Sequence, residues 1–299
     1  MNKQVSTLTG TLIILFFAIM IVVFVALSRP TEEHFEAGRP VVTRVVEEKD
    51  SIHLALQEIY GNFDEQKETA TWVLSEEETG FFVAERMTSE DVSELEVSVL
   101  SSKESNGKIY LLTAANIPLA PRISGAEIGV HLVKIEKGYA EAVYSNKRFA
   151  NRGSMGEFNG DVEVVSISED EVAFAVLSYG TGQGIVGGHK EIIAFRDDSF
   201  VVLFEDDDFY FDNTGADDTL EYSGSLSFVP SEERELHDIV VIKEGVEREF
   251  VNYDEREGEE EVGVVEEIYE EYVYYFKDGE YVLEEGDDSK RLWEVYTGM

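Results

Sequence analysis

The sequence predicts a mainly β protein carried on an amino-terminal transmembrane helix. Three observations lead there: an uncharged apolar run at the start, one short stretch of helical periodicity after it, and then a succession of Val-, Ile-, Tyr- and Phe-rich segments separated by turn residues. No charged residue occurs from Gln4 to Ser28, and Thr11 to Leu27 reads TLIILFFAIMIVVFVAL. A helix of roughly 20 mainly apolar residues crosses the hydrocarbon core. It also satisfies its own backbone polar groups, which lipid cannot do. Ala26-Leu27-Ser28 fits a small-x-small cleavage site, so a cleaved signal peptide is the competing reading and a buried core helix a third. The apolar run exceeds the roughly 7–15 residues of an ordinary signal peptide, which favours an uncleaved signal anchor. Lys3 and the terminal amine stand on one side; Arg29, soon followed by Glu32 and Glu33, stands on the other. That slight bias favours a cytoplasmic N-terminus and an extracytoplasmic C-terminal domain. The expected division is an anchor over 1–29, a linker over 30–48 containing Pro30, Gly38 and Pro40, and an acidic β-rich domain over 49–299.

Charge narrows the function classes. The 299 residues carry a net charge of −39, and residues 1–30 hold only Lys3 and Arg29, so the remainder holds −41. Nucleic-acid binding needs basic patches that displace counterions, and this balance opposes it. Adhesion to anionic headgroups is opposed for the same reason. Basic partners, divalent cations or a simple solvated, aggregation-resistant surface are what such a charge suits. With no cysteine there is no disulfide, thiolate nucleophile or lipoprotein anchor.

The elements follow in order. Asp50 to Tyr60 places Ile52, Ala55, Leu56, Ile59 and Tyr60 on one helical face, with Asp50 or Ser51 to cap the start and Gly61 to stop it. Val92 to Leu100 fits a helix or a strand equally. Strands are expected at 71–74, 81–84, 108–113, 128–135, 139–144, 162–167, 172–178, 191–195, 200–204, 221–228, 238–242 and 272–276. Strand–turn–strand units recur in HLVKIEKGYAEAVYS, VVSISEDEVAFAVLS, EIIAFRDDSFVVLFE and YVYYFKDGEYVLEE. Asp278-Gly279 is the firmest hairpin among them. Short turns without intervening helices imply an antiparallel sandwich or meander. The spacing of the turns near 137, 169 and 197 leaves a propeller-like repeat as the alternative.

Few motifs carry chemistry. Gly182-Gln183-Gly184-Ile185-Val186-Gly187 matches G-x-G-x-x-G, but a strand follows where the nucleotide fingerprint needs a helix, so no nucleotide site is expected. The glycines are read as a wide bend, and Tyr179, Thr181, Gln183 and His189 as a candidate recognition surface on it. Asp206, Asp207, Asp208, Asp212, Asn213, Asp217 and Asp218 cluster closely, and Asp206, Asp208, Asp212 and Asp217 are candidate Ca²⁺ ligands, since Ca²⁺ takes six to eight oxygens. No EF-hand register is present, and a solvated acidic loop is the plain alternative. The acidic run from Asp254 to Glu271 is read as an exposed, self-repelling segment. The histidines at 34, 53, 131, 189 and 237 are scattered, with no His-Glu-x-x-His, and His53 is read as structural.

Val172 to Gly184 (VAFAVLSYGTGQG), the strand pair IIAFRDDSFVVLF and Asp212-Asn213-Thr214-Gly215-Ala216 resemble a loose set of exported bacterial proteins with no assigned activity. The most specific piece is a Y-x-T-G-Q-G turn, and the likeness spans about 109–242. It implies an envelope location and a β-rich fold, and no catalytic residues. Two functions follow as expectations. One is a membrane-tethered binding or accessory domain with an envelope protein partner. The other is an exported cation-dependent hydrolase or calcium-binding domain built on residues 206–218.

Overall fold

The computed structural model describes residues 48–85, 92–182, 185–213, 218–231, 233–254 and 259–284, all within a compact unit running from Val46 to Met299. The expected anchor and most of the linker lie outside the described residues. Among the described residues, no helix is long and apolar enough to cross a membrane.

Among the described residues, the unit holds two helices and two antiparallel sheets. Helix α1 is Glu48–Tyr60 and α2 is Glu76–Glu85. The first sheet holds β1 (Asn62–Asp64), β2 (Thr69–Val73), β3 (Glu94–Ser105), β4 (Lys108–Asn116), β5 (Ala126–Glu136) and β6 (Tyr139–Arg152). The second holds β7 (Gly160–Ser166), β8 (Val172–Gly182), β9 (Ile185–Arg196), β10 (Ser199–Asp212), β11 (Asp218–Val229), β12 (Asp238–Asp254), β13 (Glu259–Lys277) and β14 (Glu280–Leu283). In both sheets every strand pairs with its neighbours in sequence. The architecture is two stacked meanders, and the propeller alternative is set aside because the strands form two sheets rather than repeated blades.

Period-two alternation assigns each side chain to a layer. Ile109 and Leu111 of β4 face the helices and pack with Leu56, Tyr60, Trp72 and Phe82. Leu112 and Ala114 of the same strand face the other way, with Ile128, Val130 and Leu132 of β5, onto Phe174, Val176, Ile193 and Phe200 of the second sheet. The first sheet is thereby covered on both faces. Beyond the second sheet lies a third core, in which Phe204 meets Tyr274 and Tyr281 edge-on, so β13 and β14 curl back over β10.

Turn chemistry follows the sequence closely. Lys137-Gly138, Asp197-Asp198, Asp278-Gly279 and Asn106-Gly107 each place two successive residues at positive φ. Their backbone twist matches that of the flanking strands, which is why Asn, Asp and Gly occupy them. Helix α1 ends as expected, with the Gly61 N–H donating to Gln57 O at 2.9 Å and Gly61 at φ +80°.

Three expectations are corrected. Residues 81–84 are helical, not a strand. Ser75 Oγ accepts the Glu78 N–H at 3.2 Å and Glu78 Oε2 accepts the Ser75 N–H at 2.8 Å, a reciprocal capping box that nucleates α2. Glu76, Glu77 and Glu78 fill its first turn, where the helix dipole favours negative charge. The Gly-rich wide bend is instead a continuous hairpin, since β8 and β9 stay paired out to Gly182 opposite Ile185. Residues 206–212, expected in an acidic loop, complete β10; the acidic run from Asp254 is exposed as expected at Glu266, Glu267 and Glu271, but is carried on β13 from Glu259. Residues 92–100, left open between helix and strand, belong mostly to β3.

Phe82 is 0 % exposed and meets the Trp72 ring edge-on at 5.8 Å. Phe82→Ala is expected to cost about 3–5 kcal/mol in denaturant unfolding. A loss below about 1 kcal/mol would contradict the place given to α2 in this core.

Candidate functional site

The seam between the sheets ends in a charged cluster rather than in water. Along β9, Ile193, Glu191 and His189 follow at period two on the face toward the first sheet. Ile193 is core, and Glu191 is 1 % exposed. Arg152, the last residue of β6, reaches across. Its Nε donates to Glu191 Oε2 at 2.7 Å and its second terminal nitrogen to Oε1 at 2.5 Å. Asn151 fixes that end of β6 by accepting the Gly125 N–H at 2.9 Å and donating to Gly125 O and Glu127 Oε1, each at 2.9 Å. Burial alone would raise the Glu191 carboxyl. The closeness of the His189 ring and the hydrogen bonds and charge of Arg152 overcome burial and hold it down at about 2.

His189 completes the cluster. Its Nε2 lies 3.4 Å from Glu191 Oε1 and its Nδ1 lies 2.5 Å from Asp207 Oδ1, yet neither ring nitrogen makes an aligned hydrogen bond. Burial lowers the imidazole pKa, but the Glu191 and Asp207 carboxylates outweigh it and the net shift is upward. Glu205 of β10 stands directly opposite Glu191 in the sheet register. His189, Glu191 and Glu205 can bring one donor atom each to within 4.8 Å of one another.

The sequence-derived recognition surface is only partly assembled. Tyr179 and Thr181 lie on the opposite face of β8–β9 from His189, because Tyr179 pairs with Gly188, Thr181 with Val186 and Ser178 with His189. Tyr179 and Tyr210 meet edge-on at 5.4 Å over Gly188, where an added Cβ would come within 2.6 Å of the Tyr210 Cβ. Gln183 lies outside the described residues.

The proposed calcium ligands are likewise divided. Asp206 and Asp208 come together, but around the Lys243 ammonium, which is 3.1 Å from Asp206 Oδ2 and 3.8 Å from Asp208 Oδ2. Tyr222 also donates to Asp208. A calcium ion at these two carboxylates has to displace a buried lysine. Asp212 accepts from Tyr210 at 3.5 Å, away from that pair, and Asp217 lies outside the described residues.

A second polar cluster lies under α1. His131, 0 % exposed, offers Nε2 to Thr113 Oγ1 at 3.1 Å and Tyr60 Oη at 3.2 Å, and Nδ1 to Ser145 Oγ at 2.9 Å. Gly129 makes the room, since a Cβ there would sit 2.5 Å from Thr113 Oγ1 and 2.7 Å from His131 Nε2. Burial, reinforced by Lys147, pushes the His131 pKa down to about 3, and burial pushes Tyr60 up to about 12. An open cleft of about 620 Å³ over Ile52, His53, Leu56 and Phe63 lies on the same side of the molecule.

No protein-family model, curated protein or solved structure matches this chain, so the likeness to exported proteins rests on the residues quoted for it.

His131 has a definite pH signature. Its folded value of about 3 lies below the ordinary 6.5, so between these limits the unfolded chain takes up a proton that the folded chain refuses. His131 therefore erodes stability as the pH falls below 6.5. In denaturant unfolding at pH 7.5, 5.5 and 4.5, His131→Gln is expected to lose stability at pH 7.5 and to converge on the parent as the pH falls. A constant difference across that range would contradict the neutral buried imidazole.

Proposed function

We propose that this chain is a membrane-tethered extracytoplasmic binding domain. Residues 11–27 anchor it, its N-terminus is cytoplasmic, and its carboxylate-rich β12–β13 ribbon captures a basic protein partner in the envelope. The observation that carries this reading is a like-charged cross-strand pair: Glu247 of β12 is in register with Glu266 of β13. Glu244, Glu267 and Glu271 are exposed along the same ribbon. Like charges directly opposite on a sheet destabilise it. A cationic partner relieves that repulsion, and charge complementarity of this kind speeds encounter and rejects acidic competitors.

A hydrolytic reading finds less support. The Ser145–His131 contact has no carboxylate behind the imidazole, and a histidine held neutral down to about pH 3 is a weak general base.

Poly-L-lysine is a suitable basic probe for the full-length protein in detergent micelles. Glu247→Gln with Glu266→Gln is expected to weaken its binding several-fold. A control of equal charge, Glu65→Gln in the β1–β2 turn with Glu94→Gln at the start of β3, both exposed, is expected to change it little. Equal weakening by both pairs, or no binding at low salt, would contradict the ribbon as the binding surface. The tether is read separately: after alkaline carbonate washing the protein should stay in the membrane pellet, and release into the supernatant would overturn the anchor.

A further inference from the structure

We infer that His189, Glu191 and Glu205 form a binding site for a single zinc-like divalent ion, with Asp207 orienting the histidine. The site is separate from the acidic ribbon and from the candidate calcium ligands Asp206, Asp208, Asp212 and Asp217, and draws only Asp207 from that stretch. Four observations converge on it.

The first is spacing. Zinc bonds of about 2.0–2.2 Å in tetrahedral geometry place neighbouring donor atoms about 3.4 Å apart. His189 Nε2 and Glu191 Oε1 are 3.4 Å apart, long for a hydrogen bond and unaligned as one. The second is the histidine's other nitrogen. Metal-binding histidines commonly turn that nitrogen to a carboxylate that fixes the ring. Asp207 Oδ1 stands 2.5 Å from His189 Nδ1.

The third is a concentration of carboxylates. Glu191 and Glu205 face each other across β9 and β10, and Arg152, bidentate to Glu191, is the cation already beside them, so a like-charged pair with one monovalent partner gains from a further cation. The fourth is the charge balance. Glu191, Glu205 and Asp207 carry three negative charges and Arg152 returns one positive, which accommodates a dication that takes the place of a proton on the His189 ring. Arg152 does not block the site, because a carboxylate has about four lone-pair positions and a bidentate guanidinium uses two.

One imidazole nitrogen with carboxylate oxygens suits zinc better than calcium, which takes oxygens only and more of them. A water molecule completes the fourth position.

The test uses the full-length chain in detergent micelles, first stripped with a chelator and then titrated with zinc chloride by calorimetry, with cobalt(II) absorption as a second readout. One equivalent should bind, and cobalt should give the visible bands of a tetrahedral site. His189→Ala should abolish that equivalent, Glu205→Gln should weaken it at least tenfold, and Asp207→Asn should weaken it about tenfold or more. His237→Ala, outside the cluster, should leave it intact. Glu205 and Asp207 are exposed, so their variants decide the matter even where His189→Ala folds poorly. Absence of any bound equivalent, or zinc affinity undiminished in Glu205→Gln and Asp207→Asn, would overturn the proposal.

Discussion

Arg152 and Glu191 form a charged bridge across the seam between the sheets, and its fixed geometry constrains how the second sheet sits on the first. An apolar seam fixes how closely two sheets approach but leaves them free to slide, because apolar contact is non-directional. A bidentate guanidinium–carboxylate pair has a fixed geometry and removes that freedom. The pair is costly to bury and worth keeping only when fully satisfied. Here both carboxylate oxygens are occupied, and Asn151 holds the strand end that carries the arginine. The same bridge holds Glu191 ionised beside His189, where the divalent-ion site is proposed.

Charge is unevenly distributed around this frame. Residues 106–160, spanning β4 to β6, contain Lys108, Arg122, Lys134, Lys137, Lys147, Arg148 and Arg152 against Glu127, Glu136, Glu141 and Glu157. The β12–β13 ribbon is the opposite, with carboxylates in register across the ladder. A net charge of −39 is therefore concentrated on the second sheet, where it keeps the surface solvated and steers cations towards it. Among the described residues, both helices pack on the first sheet. On the second, Glu244, Glu266, Glu267 and Glu271 are exposed.

Most of the β architecture was legible because local signals agreed with the tertiary answer. Asp278-Gly279 dictates its turn, and the stripe from Ile52 to Tyr60 dictates α1 whatever lies beneath it. Helix α2 was misread because Phe81, Phe82 and Val83 have strand propensity. The signal that overrides them, Ser75 followed by Glu78, lies outside the apolar segment. The acidic strands were misread because carboxylates disfavour strands locally, whereas pairing with β12, a 17-residue strand flanked by β11 and β13, outweighs that preference. His189 was legible as a functional candidate, but its partners were not. Glu191 sits at an inward position beside an apolar run, which hints at a buried charge. That its counter-ion is Arg152, 39 positions earlier on the other sheet, follows only from how the two meanders stack.

A double-mutant cycle on the bridge tests this account most directly. Arg152→Met, Glu191→Gln and the double variant are to be compared in denaturant unfolding at neutral pH without added metal. Each single change leaves an uncompensated buried group and should cost about 3–5 kcal/mol, whereas the double change should cost well under the sum, with a coupling of at least about 2 kcal/mol. Additive losses, or single losses near zero, would show that the sheets are positioned by apolar contact alone and would contradict the account.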